Sequence, residues 1–457
     1  MERTFGPLLL AIILMFCSSQ SAKKESSIIF TGKIENPNTN HISLLDLRRN
    51  VVLQMNINEE GTFQDTFFVV EGYYYLEDGN ENTTVYLKPG FHLNLHLNTT
   101  QFDESIIYSG MGAVENNYLA KKALILEDFG KLNYYGFYTK LSEANFLSLA
   151  DSLYSVQKSF LMGQKNMDAE FKGIELKTLS FNYLQKISNF EGMKRYLTEE
   201  KDFQVSDKYP NAYADINLTD EKLLKSPAYL NFVASYLRGE VNLMLDKYDE
   251  DYTLLYAQHI VKKVKNIKIK EALLYDVGKW ELDNTKELEK VYDLIQGALK
   301  KESYLTELSE KYQRLQKVQK GQVSPTFELK DSHDNVIKLE DLKGKLVYID
   351  VWATWCMPCL VEIPHLKELE AHFKGRDIEF VSICAMDTEE SWRKMVAEKE
   401  LRGIQLFAPD LNIPFLVDYM IYGVPKFILL DEEGIIIDAN VSRPSDPSLI
   451  EMLEKLL

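Results

Sequence analysis

Cysteine is scarce in this chain: its 457 residues contain only Cys17, Cys356, Cys359 and Cys384. Disulfide-stapled scaffolds need a much denser set, so this class of protein is excluded. Positive charge is also in deficit, with 52 Lys and Arg against 69 Asp and Glu and a formal net charge of -17. Because phosphate binding requires clustered Lys and Arg, this balance argues against a nucleic-acid partner.

Long apolar runs are absent as well, and the run at residues 8–16 is too short to span a bilayer comfortably. Arg3 precedes this run and small, polar residues follow it, an order that predicts a secretory signal peptide over residues 1–22. Cys17 suggests a lipoprotein signal, in which the cysteine is lipidated and becomes the mature N-terminus. Phe16 occupies a position where such signals carry a small residue, so plain cleavage stays open. Both alternatives predict an exported protein of the periplasm or cell envelope.

Residues 27–112 are predicted to form a small antiparallel β-sandwich domain. Short apolar runs alternate there with turn signals rich in Asn, Pro, Asp and Gly. Residues 91–98 alternate apolar and polar side chains, as expected for a half-buried strand. His92 and His96 lie four residues apart on this strand, about 13 Å at the usual rise. They are therefore predicted to face solvent rather than to share a metal ion.

Residues 113–321 are predicted to form an all-helical middle region. Proline is nearly absent from it, with only Pro210 and Pro227 between Pro89 and Pro325. An amphipathic helix is predicted from apolar residues at three- and four-residue steps, namely Phe146, Leu149, Leu153, Val156 and Phe160. The abundant aromatic side chains are interpreted as the core of a helical bundle, with a peptide-binding groove as the alternative.

From residue 322 to 457 the pattern changes to α/β. A hairpin is predicted from residues 326–329 and 336–339. A strand is predicted over residues 345–352, a helix over 359–373 and a second strand over 378–385. Further on, residues 413–420 are predicted to be helical, and a strand pair and a final helix close the chain. This alternation suits a mixed sheet with helices on both faces.

Cys356 and Cys359 stand at the junction of that first strand and helix. A Cys-x-x-Cys in a βα context predicts a redox pair. Cys356 is predicted to lie exposed at the helix N-terminus, where free N–H groups favour a thiolate, with Cys359 shielded as the resolving thiol. A zinc site needs four ligands, and no second such pair exists in the sequence. A structural disulfide remains the other alternative, and Cys384, within an apolar strand, is interpreted as a structural thiol.

The C-terminal residues resemble a known family. The stretches that carry the resemblance are Pro325-Thr326-Phe327, Leu342-Lys343-Gly344-Lys345, Trp352-Ala353-Thr354-Trp355-Cys356-Met357-Pro358-Cys359 and Gly423-Val424-Pro425. Residues 322–457 are similar to thioredoxin-like proteins of the TlpA/ResA kind, with an initial segment like that of AhpC/TSA peroxidases. The β and helical regions before them are similar to the N-terminal extension of exported Bacteroidetes members. No lone peroxidase-type cysteine replaces the pair, which disfavours peroxiredoxin chemistry.

The resemblance implies roles for five further residues. Pro425 matches a cis-proline that faces the cysteine pair, and the main chain of Val424 would hold the substrate peptide. Trp355 would line the docking surface with them. Glu362 matches an active-site acid of ResA-like members, or else is an ordinary surface glutamate. Asp350 matches the buried acid of thioredoxin, or else is a hydrogen-bonded strand residue; either acid could accept the proton of the resolving cysteine.

The predicted activity is thiol–disulfide exchange, reducing disulfides of envelope proteins through the Cys356/Cys359 dithiol. No metal, flavin or nucleotide is required, since the domain lacks a Gly-rich phosphate loop, but a membrane electron-relay protein must restore the dithiol. The same motif also supports a disulfide oxidase or isomerase. A third hypothesis is an envelope binding or scaffold protein with a subordinate redox domain.

Overall fold

The computed structural model describes residues 27–129, 134–198, 200–245 and 251–457. The predicted signal peptide and the tentative lipidation site Cys17 lie outside these residues. The chain divides into two compact units. The first contains the described residues up to Ile216 together with Lys222–Val233, and the second contains Asn217–Glu221 and the described part of Ala234–Leu457. The four domain boundaries expected from the sequence stay predictions.

Two four-stranded sheets form the β part of the first unit, with strand orders β4-β1-β7-β8 and β3-β2-β5-β6. The strands are β1 (Ile28–Glu35), β2 (His41–Leu45), β3 (Val51–Asn56), β4 (Thr62–Phe67), β5 (Gly72–Glu77), β6 (Asn82–Leu87), β7 (His92–Asn98) and β8 (Ile107–Met111). The pairing is antiparallel except between β1 and β7, which run parallel. Both sheets contribute to one apolar core. The alternation predicted for β7 is confirmed, because its three leucines are buried and His92 and His96 are exposed.

The helical region follows this domain. Its helices are α2 (Ala113–Phe129), α3 (Tyr134–Thr139), α4 (Glu143–Met162), α5 (Ala169–Leu197), α6 (Tyr229–Met244), α7 (Tyr252–Lys263), α8 (Ile267–Glu281), α9 (Leu288–Ala298) and α10 (Glu302–Lys317), while the short helix α1 (Phe102–Ser105) lies before it, between β7 and β8. The helix predicted around Phe146 is confirmed as α4, but its buried face differs from the predicted stripe. Ala150, Gln157 and Leu161 are buried, whereas Val156 is exposed. Phe146 and Leu153 belong to both sets, and the other three buried residues each lie one position after a predicted one. Both sets repeat at close to the 3.6-residue period of a helix, so the period alone did not decide between them.

A seven-stranded sheet with the order β10-β9-β13-β12-β11-β14-β15 forms the C-terminal part of the second unit. Its strands are β9 (Glu328–Asp331), β10 (Val336–Lys338), β11 (Leu346–Trp352), β12 (Ile378–Cys384), β13 (Ile404–Phe407), β14 (Lys426–Leu430) and β15 (Ile436–Asp438). The helices are α11 (Met357–His372), α12 (Glu389–Glu398), α13 (Pro414–Asp418) and α14 (Pro447–Leu456). β11 lies between β12, which is parallel to it, and β14, which is antiparallel. The predicted mixed α/β sheet is confirmed, and it contains one strand, β13, that the sequence patterns did not predict.

No helix among the described residues is both long enough and apolar enough to cross a bilayer.

Candidate active site

The two cysteines lie where the central strand β11 passes into α11. Cys356 is the N-cap residue of α11, and Cys359 lies in its first turn. The two sulfur atoms form a disulfide whose Cα atoms are 5.3 Å apart. The backbone N–H of Cys359 donates to Cys356 Sγ at 3.2 Å. When the pair is reduced, this N–H and the helix N-terminus stabilise a thiolate on Cys356.

The disulfide is covered by its neighbours. Cys356 is only 3% exposed and Cys359 4%, so the prediction that Cys356 lies exposed is wrong. The reason is packing: both cysteines belong to an apolar cluster with Trp352, against which Val424 packs. The adjacent Trp355, by contrast, is 61% exposed. Apolar surface available to a partner therefore lies beside the sulfur atoms rather than on them.

The remote Val424-Pro425 segment meets the pair in space. The peptide bond between these residues is cis, as the family resemblance implies. Among the hydrogen bonds of the described residues, none involves the main chain of Val424, which precedes the ladder that pairs Lys426 with Val351. Tyr422, two residues before Val424, is 75% exposed. The fold thus brings the unpaired backbone of Val424 next to the cluster that contains the disulfide, and an exposed aromatic ring lies two residues before it in the chain.

The loop after β12 holds Trp355 in place. The Trp355 indole N–H donates to the carbonyl of Met386 at 2.8 Å, and the N–H of Thr354 donates to Asp387 Oδ2 at 2.6 Å. Cys384 is fully buried, with Sγ 3.9 Å from the same carboxylate oxygen, and burial raises the pKa of its thiol. A thiol in this setting is poorly ionised, which agrees with a structural role.

Asp350 lies on β11 opposite Ser382 of β12. Together with Cys359 it lines a cavity of ≈ 20 Å³ beneath the active-site helix. Burial raises the pKa of Asp350 to about 7, Ser382 acts against this shift through hydrogen bonding, and the charge of Glu370 adds to it. A carboxyl group with such a pKa can both accept and release a proton near neutral pH.

Glu362 also lines this cavity, but its carboxylate is anchored to the loop before α14. Its Oε2 accepts from the N–H of Ser445 and its Oε1 from the Ser445 hydroxyl, both at 2.9 Å. Arg443 approaches Oε1 to 3.7 Å. Glu362 is 5% exposed, so its interpretation as an ordinary surface glutamate is wrong. The side chain turns inward because this loop offers it donors.

Four site residues were missed by sequence reasoning: Arg443, Ser445, Asp387 and Ser382. Ser445 and Glu362 are 83 residues apart, and no local pattern links them. Asp387 alone had a signal, since it lies three residues beyond the end of the apolar strand that pairs with β11.

The histidines of the active-site helix do not join the site. His365 and His372 are exposed, and His372 pairs with Glu454 at 2.8 Å. Within the described ranges, no group of three or more His, Cys, Asp or Glu side chains is arranged to hold a metal ion.

Comparison with known proteins finds matches that each cover about a third of this chain. The Redoxin family model matches residues 319–453. The thiol-disulfide oxidoreductase ResA of Bacillus cereus is 29% identical over 141 residues, which cover 31% of this chain and 80% of that protein. The thioredoxin-like protein YneN of Bacillus subtilis is 30% identical over 146 residues, covering 30% and 80% respectively. The crystal structure of a thioredoxin domain from a Bacteroides vulgatus thiol-disulfide oxidoreductase is 31% identical, covering 30% of this chain and 96% of that one with a TM-score of 0.28.

Proposed function

The chain belongs to the redoxin family of thiol-disulfide oxidoreductases, and from this premise we propose that it reduces disulfides of exported proteins through the dithiol form of Cys356 and Cys359. The observation that carries the proposal is the position of the pair at the N-terminus of α11, beside the unpaired main chain of Val424. This arrangement offers a stabilised thiolate and a place for a peptide in one site.

The reaction proceeds in two exchanges. In the first, the Cys356 thiolate attacks one sulfur of the client disulfide; a mixed disulfide forms and the second client sulfur leaves as a thiolate. In the second, Cys359 loses its proton and attacks Cys356 Sγ, which forms the Cys356–Cys359 bond and releases the first client sulfur. The client gains two electrons and the protein is oxidised. Asp350 is the proposed acceptor of the Cys359 proton, because Glu362 already holds Ser445 with both oxygens.

Client docking is assigned to the apolar surface around the pair. Trp355 and Tyr422 present exposed rings, and Val424 offers its main-chain N–H and C=O to an extended peptide, with Pro425 next to it. Main-chain pairing of this kind is tolerant of sequence, while exposed rings supply contact area. The surface therefore fits a range of unfolded or flexible segments that carry a disulfide.

The proposed location is the periplasm or cell envelope. It rests on the pattern of residues 1–22, and a lipid on Cys17 would hold the protein at a membrane. A membrane electron-relay protein would then return the pair to the dithiol, since no reductant of the cytosol reaches that compartment. The mass of the mature N-terminus distinguishes a lipidated Cys17 from simple cleavage, and an uncleaved N-terminus would contradict export by this signal.

Client trapping tests the proposal in cells. In Cys359→Ser the second exchange cannot occur, so mixed disulfides should accumulate between Cys356 and exported proteins. Cys356→Ser is the control for the nucleophile and should trap none, while Cys384→Ala, a change outside the pair, should leave insulin reduction unaltered. Trapped proteins that belong to the cytosol would contradict the location, and equal trapping by both serine variants would contradict the assigned order of attack.

The reduction potential tests the direction of exchange. If the protein is a reductase, the reduction potential of the pair is expected to be about -270 mV. A potential of about -120 mV would make the pair an oxidant and favour the oxidase or isomerase hypothesis. Equilibration of the full chain with glutathione buffers measures this potential. A variant with both Cys356 and Cys359 changed to serine tests the scaffold hypothesis, which predicts unchanged client binding without the pair.

A further inference from the structure

The cavity beneath the disulfide contains more chemistry than the two exchanges use. Its polar lining comprises Asp350, Cys359, Glu362, Lys367, Glu370, Ser382, Arg402 and Gln405. A cavity of ≈ 20 Å³ has room for about one water molecule. Asp350, a half-buried residue, lines this space. Asp350, the proposed proton acceptor, therefore borders a space for one water molecule in addition to the Cys359 thiol.

Glu370 lies on the same face of α11 as Cys359. The positions Cys359, Ile363, Leu366 and Glu370 follow steps of four, three and four residues, which align on one side of a helix. Eleven residues correspond to about 16 Å along the axis, too far for Glu370 to reach the sulfur. Any effect of Glu370 on the reaction must act through a group between them.

Two buried oxygen atoms in the cavity wall lack a partner. Glu370 Oε2 and Gln405 Oε1 are inaccessible to solvent, and neither has a hydrogen-bond partner among the described residues. Both oxygen atoms can only accept hydrogen bonds when Glu370 is ionised, so each of them requires a donor. A single water in the cavity, or a proton on Glu370, supplies that donor.

The charges around Glu370 are unevenly placed. Burial raises the pKa of the Glu370 carboxyl, while Arg402 and Lys367 act in the opposite direction. The Lys367 ammonium group donates a hydrogen bond to the carbonyl of Lys399. No salt bridge to Glu370 occurs in the described part of the chain. The negative charge of Glu370 raises the pKa of Asp350. Glu362, by contrast, is held by a hydrogen bond from Ser445.

We propose that Glu370 is a positioning residue that passes the proton of the resolving step from Asp350 to solvent. The inference rests on the proposed reduction by the dithiol. Cys359 gives its proton to the Asp350 carboxylate, Asp350 gives it to a water in the cavity, and that water gives its own proton to the partly exposed Glu370, which releases it to solvent. One proton leaves, the Cys359 thiolate attacks Cys356 Sγ, and no further reactant is needed.

The test is the pH dependence of the resolving step. Reduced full-length protein is mixed with oxidised glutathione, and quenched samples are analysed by mass spectrometry for decay of the glutathione adduct on Cys356. In the wild type the rate should rise with the ionisation of Asp350. In Glu370→Gln the midpoint of the pH profile should move to lower pH, because Asp350 loses a neighbouring negative charge. The rate at high pH should fall several-fold, because residue 370 can no longer pass the proton to solvent. Glu368→Gln, an 80% exposed side chain on the same helix, is the matched control and should change neither.

Each other outcome is informative. An unchanged midpoint in Glu370→Gln, with or without a uniform fall in rate, would mean a structural role and overturn the inference. If that variant folds poorly, Glu370→Asp, which keeps the charge, should restore the wild-type midpoint; a shifted midpoint would again overturn it. If oxidised glutathione produced neither the adduct nor the Cys356–Cys359 disulfide in the wild type, the proposed function itself would be overturned, which separates the two failures.

Discussion

At the scale of single residues, the carboxyl groups beneath the active-site helix differ by their surroundings rather than by their type. Glu362 is buried but receives two hydrogen bonds and lies near a guanidinium group. Asp350 has its pKa raised to about 7, with burial as the main cause and hydrogen bonds from Ser382 and the backbone acting against it. A paired carboxylate holds structure together, whereas an acid of raised pKa is suited to moving a proton.

Asp350 should destabilise the folded protein above neutral pH. Its folded pKa of about 7 exceeds the unfolded value of 3.8, so the cost of ionising this carboxyl group in the folded state develops as pH rises from about 4 to about 7, stays constant above about 7, and is absent below about pH 4. Asp350→Asn should therefore raise the free energy of unfolding of the oxidised protein at pH 8, by an amount on the order of 2–4 kcal/mol. At pH 4.5 the gain should fall to about a quarter of its value at pH 8. Urea unfolding followed by tryptophan fluorescence measures both values.

The exposed Asp377 provides the control for that prediction. Asp377→Asn changes the same charge on the surface of the same domain, so its effect should be small at both pH values. A loss of stability in Asp350→Asn at pH 8 would contradict the assigned electrostatics of this residue.

At the scale of elements, the sequence predicted those whose pattern is local. The half-buried β7 shows its period directly, and the strand, turn and helix around Cys356 follow from an apolar run, a motif and a helical stripe. β13 was missed because Ile404–Phe407 is only four residues long and includes a buried glutamine. It becomes a strand through pairing with β12 on one side and β9 on the other, which no local pattern reveals.

The same distinction separates the parts of the site. The cysteine pair and the Val424-Pro425 segment were predictable from motifs. The exposure of Cys356 was predicted wrongly, because the packing of Trp352 and Val424 around it is tertiary. The anchoring of Glu362 by Ser445 joins positions 83 residues apart and equally depends on the finished fold.

Gly403, which leads into β13, should tolerate no side chain. Its φ of +65° is unfavourable for other residues, and an added Cβ would lie 2.7 Å from the carbonyl oxygen of Phe380 and 2.9 Å from Glu370 Oε1. Gly403→Ala should therefore lower the free energy of unfolding by about 1–3 kcal/mol, from backbone strain and from the clash. Denaturant unfolding of the full chain measures the loss.

Gly375 separates these two causes. It has a φ of +84°, but nothing lies within 4 Å of an added Cβ, so Gly375→Ala carries the backbone strain alone. Gly403→Ala should be the more destabilising of the two variants. Equal losses would mean that the close approach to Phe380 and Glu370 relaxes without cost.

At the scale of the whole molecule, one side chain of the second unit, Asn440, links the turn between two of its helices to the catalytic sheet. Asn440 Nδ2 donates to the carbonyl of Asp283 at 3.1 Å and to Asn284 Oδ1 at 3.0 Å. Its Oδ1 accepts from Lys426 Nζ at 2.8 Å. Lys426 directly follows Pro425, and burial lowers the pKa of its ammonium group. The substrate segment is thus tied to the turn between α8 and α9.

Loss of this link should make the Val424-Pro425 segment more mobile without changing the reactivity of Cys356 and Cys359. Asn440→Ala removes three hydrogen bonds, one of them to a largely buried cation, and should lower the free energy of unfolding by about 1–3 kcal/mol. Amide exchange at Val424 and Lys426 should become faster, and reduction of a protein client should fall several-fold while reduction by dithiothreitol keeps its rate. Asn412→Ala is the control, since Asn412 bonds only locally to Asp410. If both substrates slowed equally, the helices would support the disulfide itself; if neither changed, client choice would depend on the catalytic sheet alone.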